Sequence, residues 1–329
     1  MTIRVLSGED VHAALTLPDC IEAMDAVLRQ YAAGELYLPL RSVVRPPQSP
    51  AGFMGLMTAH RAGDAPAFGL KAVAIFPENP RRGLDAHQGV VIVFSGEDGR
   101  VTGVVDASAV TAIRTAAVSA VATRALASEG ASRLAVLGAG VQAAAHIDAL
   151  ACVMPFERVR IYSRRPEPAQ ELAAAAARRH GADASAAASV EEALRDADVV
   201  VTATTAREPI VERGWLAPGA HVNAVGSSIP TTRELDGATV AAARLFVDAR
   251  ESALNESGDL LLAVREGAVG EGAPLTELGG VLIGAQPGRT SQDELTVFIS
   301  LGLAVEDLAA AELALRVAAI HGVGAEVPL

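Results

Sequence analysis

Aromatic residues are scarce in this chain. Phe, Tyr and Trp make up 3% of its 329 residues, and the 50% hydrophobic content rests on Ala and Val instead. With 20% charged residues, that composition is too apolar for a disordered chain, and the length suffices for two packed domains. No uncharged apolar run approaches the roughly 20 residues that a membrane-spanning helix needs. The opening Met1-Thr2-Ile3-Arg4-Val5-Leu6-Ser7 lacks the basic end and apolar stretch of a secretory signal, so a cytoplasmic location is expected. Positive charge is also in deficit. A formal net charge of -12, with no basic run, excludes the clustered Lys and Arg of a nucleic-acid binder and leaves small molecules as the expected partners. Cysteine is limited to Cys20 and Cys152, far apart in helical-looking contexts. Neither number nor spacing suggests a disulfide framework or metal site, and both are expected to be ordinary buried thiols. Internal repeats, low-complexity tails and linker-like stretches are absent as well.

What is present divides into two patterns. Ser7-Gly8-Glu9-Asp10 resembles a capping box ahead of a short helix, and Pro18-Asp19 opens a helix to about Gln30 that closes near Gly34. The period then changes to two. Short β-rich runs at 41–45, 52–58, 68–76, 90–94 and 101–105 are broken by Pro and Gly, and 95–99 is the clearest hairpin turn, so a mostly antiparallel sheet is expected. An Ala-rich helix over 108–128, ended by Gly130, leads into a different alternation: strand 133–137, helix 141–151, strand 159–162, helix 168–180, helix 190–195, then strands 199–202, 221–225 and 245–247. Strands alternating with helices of this length call for a parallel sheet covered on both faces. The segment from Ser291 to about His321 reads as mainly helical, broken at Gly302, with Asp293 and Glu294 as first-turn acids complementing a helix dipole.

The run Gly138-Ala139-Gly140-Val141-Gln142-Ala143 lies between an apolar strand and a helix, the context that a dinucleotide-binding fingerprint requires. The first glycine permits the tight turn, the second lets backbone approach a pyrophosphate, and the small third residue allows close helix packing while the helix N-terminus faces the anion. An NAD-selective site would carry an Asp or Glu at the end of the second strand. Here that strand ends Tyr162-Ser163-Arg164-Arg165, with no acid before Glu167. A hydroxyl and guanidinium groups suit a 2′-phosphate, so NADPH is expected as cofactor, with NADH left open.

Three cations stand out in the first part of the chain: Arg41, Lys71 and Arg114. Lys71 is the most telling, because Phe68, Leu70, Val73 and Ile75 around it are apolar, and a lysine there either snorkels out or meets a buried anion. Arg114 interrupts an Ala-rich helix. Acting together, the three would clamp a carboxylate. His87, at the entry to a strand, reads as a loop-end histidine, and His146 as surface or helix packing. Asp85 and His87 alone make no metal site, so none is expected.

These stretches together resemble the ornithine cyclodeaminase/mu-crystallin family over nearly the whole chain. The resemblance rests on Pro39-Leu40-Arg41, Gly69-Leu70-Lys71, Thr111 to Ala117, Gly138 to Gln142, Asn223-Ala224-Val225-Gly226, Arg233-Glu234-Leu235-Asp236, and Gly288-Arg289-Thr290 through Gly302 to Leu308. It implies that Arg41, Lys71 and Arg114 hold a substrate carboxylate beside the nicotinamide, with Lys71 as proton donor and Lys71 and Arg114 as the catalytic pair. Val225, Gly226 and Ser227 join the cofactor-binding set and Ser228 the substrate-binding set. The implied fold is α/β: a Rossmann-type doubly wound parallel sheet domain over 116–301, plus a discontinuous α+β substrate-binding and dimerisation domain over 1–115 and 302–329, assembling as a homodimer.

The family spans several reactions, and departures from its cyclodeaminase pattern narrow them. Ser228 stands where the cyclodeaminases carry an Asp for the substrate amine, and Gly55-Leu56-Met57-Thr58 stands where they place a Glu. The expected activity is therefore an NADPH-dependent reductase of a cyclic α-imino acid of the pyrroline- or piperideine-2-carboxylate type, or a related amino-acid dehydrogenase. An ornithine cyclodeaminase-type ammonia lyase and a crystallin-like NADPH-dependent binding protein are the alternatives.

Overall fold

The computed structural model describes residues 2–47 and 52–329. Strand β1 (Thr2–Leu6) leads into helix α1 (Gly8–Ala14). There Ser7 Oγ accepts from the Asp10 N–H while the Asp10 carboxylate accepts from the Ser7 N–H, a reciprocal capping box. Helix α2 (Leu17–Ala32) is capped by Thr16 and buries Cys20, Met24, Val27 and Leu28, the spacing of one helical face. The period-two stretch then forms β2 (Leu36–Tyr37), β3 (Ser42–Val44), β4 (Phe53–Arg61), β5 (Ala67–Ile75), β6 (His87–Ser95) and β7 (Val101–Asp106), with antiparallel ladders running from β4 to β7. On β5, Ala67, Gly69, Lys71 and Val73 are buried while the intervening residues are not, so Lys71 lies on the core face. Helix α3 (Ala107–Leu126) follows. By length and composition it is apolar enough to cross a membrane, but it carries Arg114 and Arg124 and is mostly buried inside the protein.

The alternating stretch supplies β8 (Arg133–Leu137), α4 (Val141–Leu150), β9 (Arg158–Tyr162), α5 (Pro166–His180), β10 (Asp183–Ala186), α6 (Val190–Leu194), β11 (Val199–Thr202), β12 (His221–Ala224), α7 (Gly237–Ala242), β13 (Arg244–Val247), α8 (Arg250–Glu256), α9 (Gly258–Arg265), β14 (Leu275–Glu277), α10 (Leu278–Leu282) and β15 (Thr296–Ile299). Its eight strands form one parallel sheet in the order β10-β9-β8-β11-β12-β15-β13-β14. This is the doubly wound α/β architecture expected. The strand order reverses between β8 and β11, the switch point at which such sheets open a crevice outside their carboxyl ends.

β15 corrects the sequence reading, which placed 296–299 in a helix. Thr296, Val297, Phe298 and Ile299 are all buried between β12 and β13. A strand covered on both faces shows no alternation, so a short apolar run there resembles a buried helical turn. Asp293 and Glu294 correspondingly start no helix. Glu294 instead accepts hydrogen bonds from Thr290 N–H and Oγ1 at 2.8 and 3.0 Å.

After β15 the chain forms helix α11 (Ala304–His321) and strand β16 (Ala325–Pro328). The chain comprises two compact units: one of the described residues to Arg114 with Gly302–Leu329, the other Thr115–Leu301. In the first, the sheet order is β16-β1-β7-β6-β5-β4-β2, with β3 also on β4, and α11 packs across β4, β5 and β6 and against α2. The second is held by a core drawn from its own strands and helices, including Leu137, Val200, Val222, Val247, Leu260 and Ile299. Within its sheet Phe298 is fully buried. Phe298→Ala is expected to lower the unfolding free energy by about 3–5 kcal/mol in urea denaturation followed by circular dichroism. A loss below about 1 kcal/mol, the size of an average substitution, would contradict this placement of β15.

Candidate active site

Two acids at the start of α11 organise the first unit. Glu306 and Asp307 fall in the first turn of that helix and are both buried. Glu306 Oε2 accepts from the Leu303 N–H at 3.1 Å, which satisfies one of the free donors at the helix N-terminus. The same oxygen accepts from Arg114 Nη1 at 2.9 Å. Asp307 Oδ1 accepts from both Arg114 Nε and Lys71 Nζ, each at 2.9 Å. Lys71 Nζ also donates to Thr111 Oγ1, one turn before Arg114 on α3, at 3.0 Å. Lys71 is thus the buried cation meeting a buried anion.

Gly302 aligns the two arginines. Its carbonyl accepts from Arg41 Nη2 at 3.1 Å. Its φ of +79° is a left-handed conformation, and a Cβ there would stand 2.4 Å from Arg114 Nη1. The structure therefore brings Arg41, Lys71 and Arg114 onto one framework. Lys71 and Arg114, each 4% exposed, both meet buried carboxylates: Asp307 for Lys71, and Glu306 with Asp307 for Arg114. Desolvation makes a buried charge costly unless it is paired, and these ion pairs supply that compensation. Burial pulls the Lys71 ammonium down to about 8, aided by Arg114 and Arg41 and opposed by Asp307. Burial pushes Asp307 the other way, but Arg114 and Lys71 outweigh it and hold the carboxyl below its usual range.

In the second unit, the loop after β8 carries Gly138 at φ +118°, where a Cβ would meet the Ala203 carbonyl at 2.4 Å. Gly140 is the N-cap of α4 and offers no side-chain cap, while a Cβ on it would have nothing within 4 Å. Ala143 is fully buried, and Val141 is exposed. A side-chain-free loop ahead of free helix N–H groups fits a dinucleotide pyrophosphate. Ala139 and Gln142 lie in the same loop and first turn. Ser163, Arg164 and Arg165 follow β9; both arginines are exposed, and Arg165 is the N-cap of α5, also without a side-chain cap. Val225, Gly226, Ser227 and Ser228 leave β12 on the same carboxyl side of the sheet, with Ser227 Oγ donating to the Thr232 carbonyl at 2.6 Å.

Of the remaining residues, Cys152 departs from expectation. Cys152 is exposed, not buried, whereas Cys20 is buried and its thiol is pushed up to about 12, chiefly by desolvation. His146 is fully buried. Its Nε2 lies 2.9 Å from Ser119 Oγ and its Nδ1 2.7 Å from the Gln142 carbonyl, so it ties α4 to α3, and burial lowers it to about 4. His87 sits at the start of β6. Desolvation of its ring, then the Lys71 charge, hold its imidazole below the ordinary value.

Gly302→Ala tests the framework. Crowding of the Arg114 guanidinium is expected to raise KM for a carboxylate substrate roughly tenfold or more, the cost of a lost charged hydrogen bond. Dinucleotide affinity in titration calorimetry is expected to stay within about twofold, because the glycine-rich loop belongs to the other compact unit. An unchanged substrate KM would remove Gly302 from the framework.

A profile of the ornithine cyclodeaminase/mu-crystallin family matches residues 2–318. The chain is 40% identical over 313 residues to ketimine reductase mu-crystallin of Mus musculus, covering 94% of this chain and 95% of that one. Among solved structures it is similar to Δ1-pyrroline-2-carboxylate reductase of Thermococcus litoralis in complex with NADH and L-proline, at a TM-score of 0.95 and 34% identity over 99% of this chain and 100% of that one. It is also similar to an archaeal alanine dehydrogenase dimer with bound NAD, at a TM-score of 0.93 and 32% identity with both chains covered in full. By sequence and by fold, this chain belongs to the ornithine cyclodeaminase/mu-crystallin family.

Proposed function

We propose that this protein is an NADPH-dependent reductase of a cyclic α-imino acid of the pyrroline- or piperideine-2-carboxylate type, with the reductive amination of a 2-oxo acid as the related reaction. The observation that carries this reading is Lys71, a buried ammonium brought down to about 8 and held between Asp307 and Thr111 beside two arginines. Reduction of a C=N bond adds a hydride at carbon and a proton at nitrogen. When bound, a reduced nicotinamide cofactor supplies the hydride. The protein's own residues do the rest. Arg41 and Arg114 bind the substrate carboxylate through charge-assisted hydrogen bonds. Lys71 Nζ adds to that field and gives up the proton, a task suited to a group whose pKa lies near the working pH. Asp307 keeps Nζ oriented and charged.

A cyclodeaminase would need an acid near the substrate amines. Neither Ser228 nor the β4 residues Met57 and Thr58 supplies one. The relatives favour the reductase as well, since the curated mouse relative is a ketimine reductase and the Thermococcus structure holds L-proline.

For the cofactor, NADPH is supported by Ser163, Arg164 and Arg165, with no acid before Glu167, and by the uncapped N-terminus of α5 beside them. For assembly, a homodimer is supported by the outward sheet face of the first unit. Val44, Met54 and Phe68 are exposed there, on β3, β4 and β5. Exposed apolar side chains on one sheet face mark an interaction face, and a second copy is the natural occupant given the archaeal dimer.

The purified protein is expected to oxidise NADPH in the presence of Δ1-pyrroline-2-carboxylate or Δ1-piperideine-2-carboxylate, and to release no ammonia from ornithine. Lys71→Met is expected to abolish turnover while leaving NADPH binding within about twofold. For the intact protein, kcat/KM should fall as pH rises through about 8, because the protonated ammonium is the form that binds and donates. A profile flat to high pH, or full turnover in the Met variant, would take Lys71 out of the mechanism.

Removing both guanidinium groups in Arg164→Ala/Arg165→Ala is expected to raise KM for NADPH on the order of tenfold to a hundredfold, with NADH changed about twofold at most. Equal effects on the two cofactors would refute a 2′-phosphate site at this turn.

A further inference from the structure

The segment Arg233-Glu234-Leu235-Asp236 contains a fully buried carboxylate with no part in the chemistry above. Glu234 Oε1 accepts from the Thr204 N–H and from Thr204 Oγ1, both at 2.7 Å. Its Oε2 accepts from Thr202 Oγ1 at 2.6 Å and from the Gly226 N–H at 2.8 Å. Thr202 is the last residue of β11, Thr204 lies in the loop that follows, and Gly226 lies in the loop that leaves β12. One side chain therefore ties together the exits of two neighbouring parallel strands. The tie reaches the glycine-rich loop as well, because the Ala203 carbonyl beside Thr204 is the group that Gly138 packs against.

The backbone that carries this carboxylate is itself anchored. Asp259, in the first turn of α9, accepts from the N–H groups of Glu234 and Leu235, both at 2.8 Å through Oδ1. The Glu234 carbonyl accepts from Ile210 and Val211 N–H at 2.8 and 2.9 Å. Burial raises the Glu234 carboxyl, with its four donors working against that, and burial and then the Glu234 charge push Asp259 up to about 7. Two neighbouring carboxyls in a desolvated site cost stability, and an apolar pair of similar volume would avoid that cost. What an apolar pair lacks is the ability to take hydrogen bonds from two loops at once.

We propose that Glu234 is a positioning residue for the dinucleotide: its carboxylate joins the loops after β11 and β12 into a single rim at the switch point of the sheet, holding Gly226 and Ser227 and the floor under Gly138 in the geometry that receives the cofactor. Glu234 does not touch the cofactor. The inference rests on the dinucleotide reading of the preceding subsection. Its chemistry is specific, because all four donors need an acceptor. A glutamine presents one acceptor oxygen, and its amide would face either the Thr204 N–H or the Gly226 N–H donor to donor.

The test uses the full-length protein. Calorimetric titration with NADPH is expected to give a Kd about tenfold or more weaker for Glu234→Gln. In steady state, KM for NADPH should rise by a similar factor while KM for Δ1-pyrroline-2-carboxylate changes about twofold at most. Thr204→Val, which loses one donor, is expected to weaken NADPH binding several-fold, whereas Thr204→Ser, which keeps both donors, should restore the wild-type Kd. If Glu234→Gln does not fold, the two Thr204 variants decide the matter. Wild-type NADPH affinity in Glu234→Gln or, should that fail, in Thr204→Val would overturn the inference while leaving the reductase reading intact. A parallel rise in both KM values would overturn it too, as the mark of general loss of structure. If the unaltered protein binds neither NADPH nor NADH, the dinucleotide reading falls and this inference falls with it.

Discussion

One carboxylate oxygen, Oδ1 of Asp307, receives both Lys71 Nζ and Arg114 Nε, and the first unit is built so that this contact can exist away from water. Removing one partner from such a buried group costs about 3–5 kcal/mol, so the strand, the helix and the returning C-terminal helix are locked to a common centre. The lock also explains why the unit is discontinuous in sequence. Lys71 comes from β5, Arg114 from α3 and Asp307 from α11, and Gly302 at the re-entry point sets both Arg41 and Arg114. One of the contacts that join the chain's two ends in one unit is, on the proposed reading, the contact that prepares it for a carboxylate.

Much of this arrangement was legible in the amino-acid order. The glycine loop announced itself because backbone approach to a phosphate restricts residue choice over several consecutive positions, and the three cations stood out against apolar neighbours. Glu306 and Asp307 belong to one of the family-like stretches, yet their role is not legible there, since acids in the first turn of a helix ordinarily complement its dipole in solvent. Lys71 carried a further signal. It is the single lysine of the chain, against 26 arginines. An arginine stays protonated at any working pH, whereas a desolvated lysine can be brought near neutrality, so a chain that uses arginine everywhere else and lysine here points to proton transfer. The rest was hidden for physical reasons. β15 shows no alternation because both its faces are covered, and Cys152 is exposed because it follows the end of α4, where helical periodicity no longer reports the buried face.

The two units handle buried carboxylates in opposite ways. In the first, Asp307 and Glu306 are neutralised by cations, so their charge is spent on orienting other charges. In the second, Glu234 is satisfied by hydroxyl and backbone donors, and Asp259 largely by backbone N–H groups. Uncharged donors fix geometry without adding positive charge to the strand ends. That difference suits the two ligands. A small imino acid offers little beyond its carboxylate and is best seized by charge, whereas a dinucleotide is long and is best received by a shaped rim of loops.

Both ligands are anions, and the protein carries a formal charge of -12, so its overall field opposes them. Screening resolves the conflict. At physiological ionic strength exposed charges are felt over about 8 Å, so remote surface acids contribute little at either site. On the proposed reading the nearby groups decide: the buried Lys71–Arg114 pair, the uncapped helix ends at α4 and α5, and the exposed Arg164 and Arg165. Buried, the first of these escapes most of that screening and retains its strength, while the exposed pair must act at close range through directed hydrogen bonds. A chain can therefore stay strongly acidic and still bind anions, provided that the positive groups at its sites are either desolvated or within hydrogen-bonding reach of the ligand.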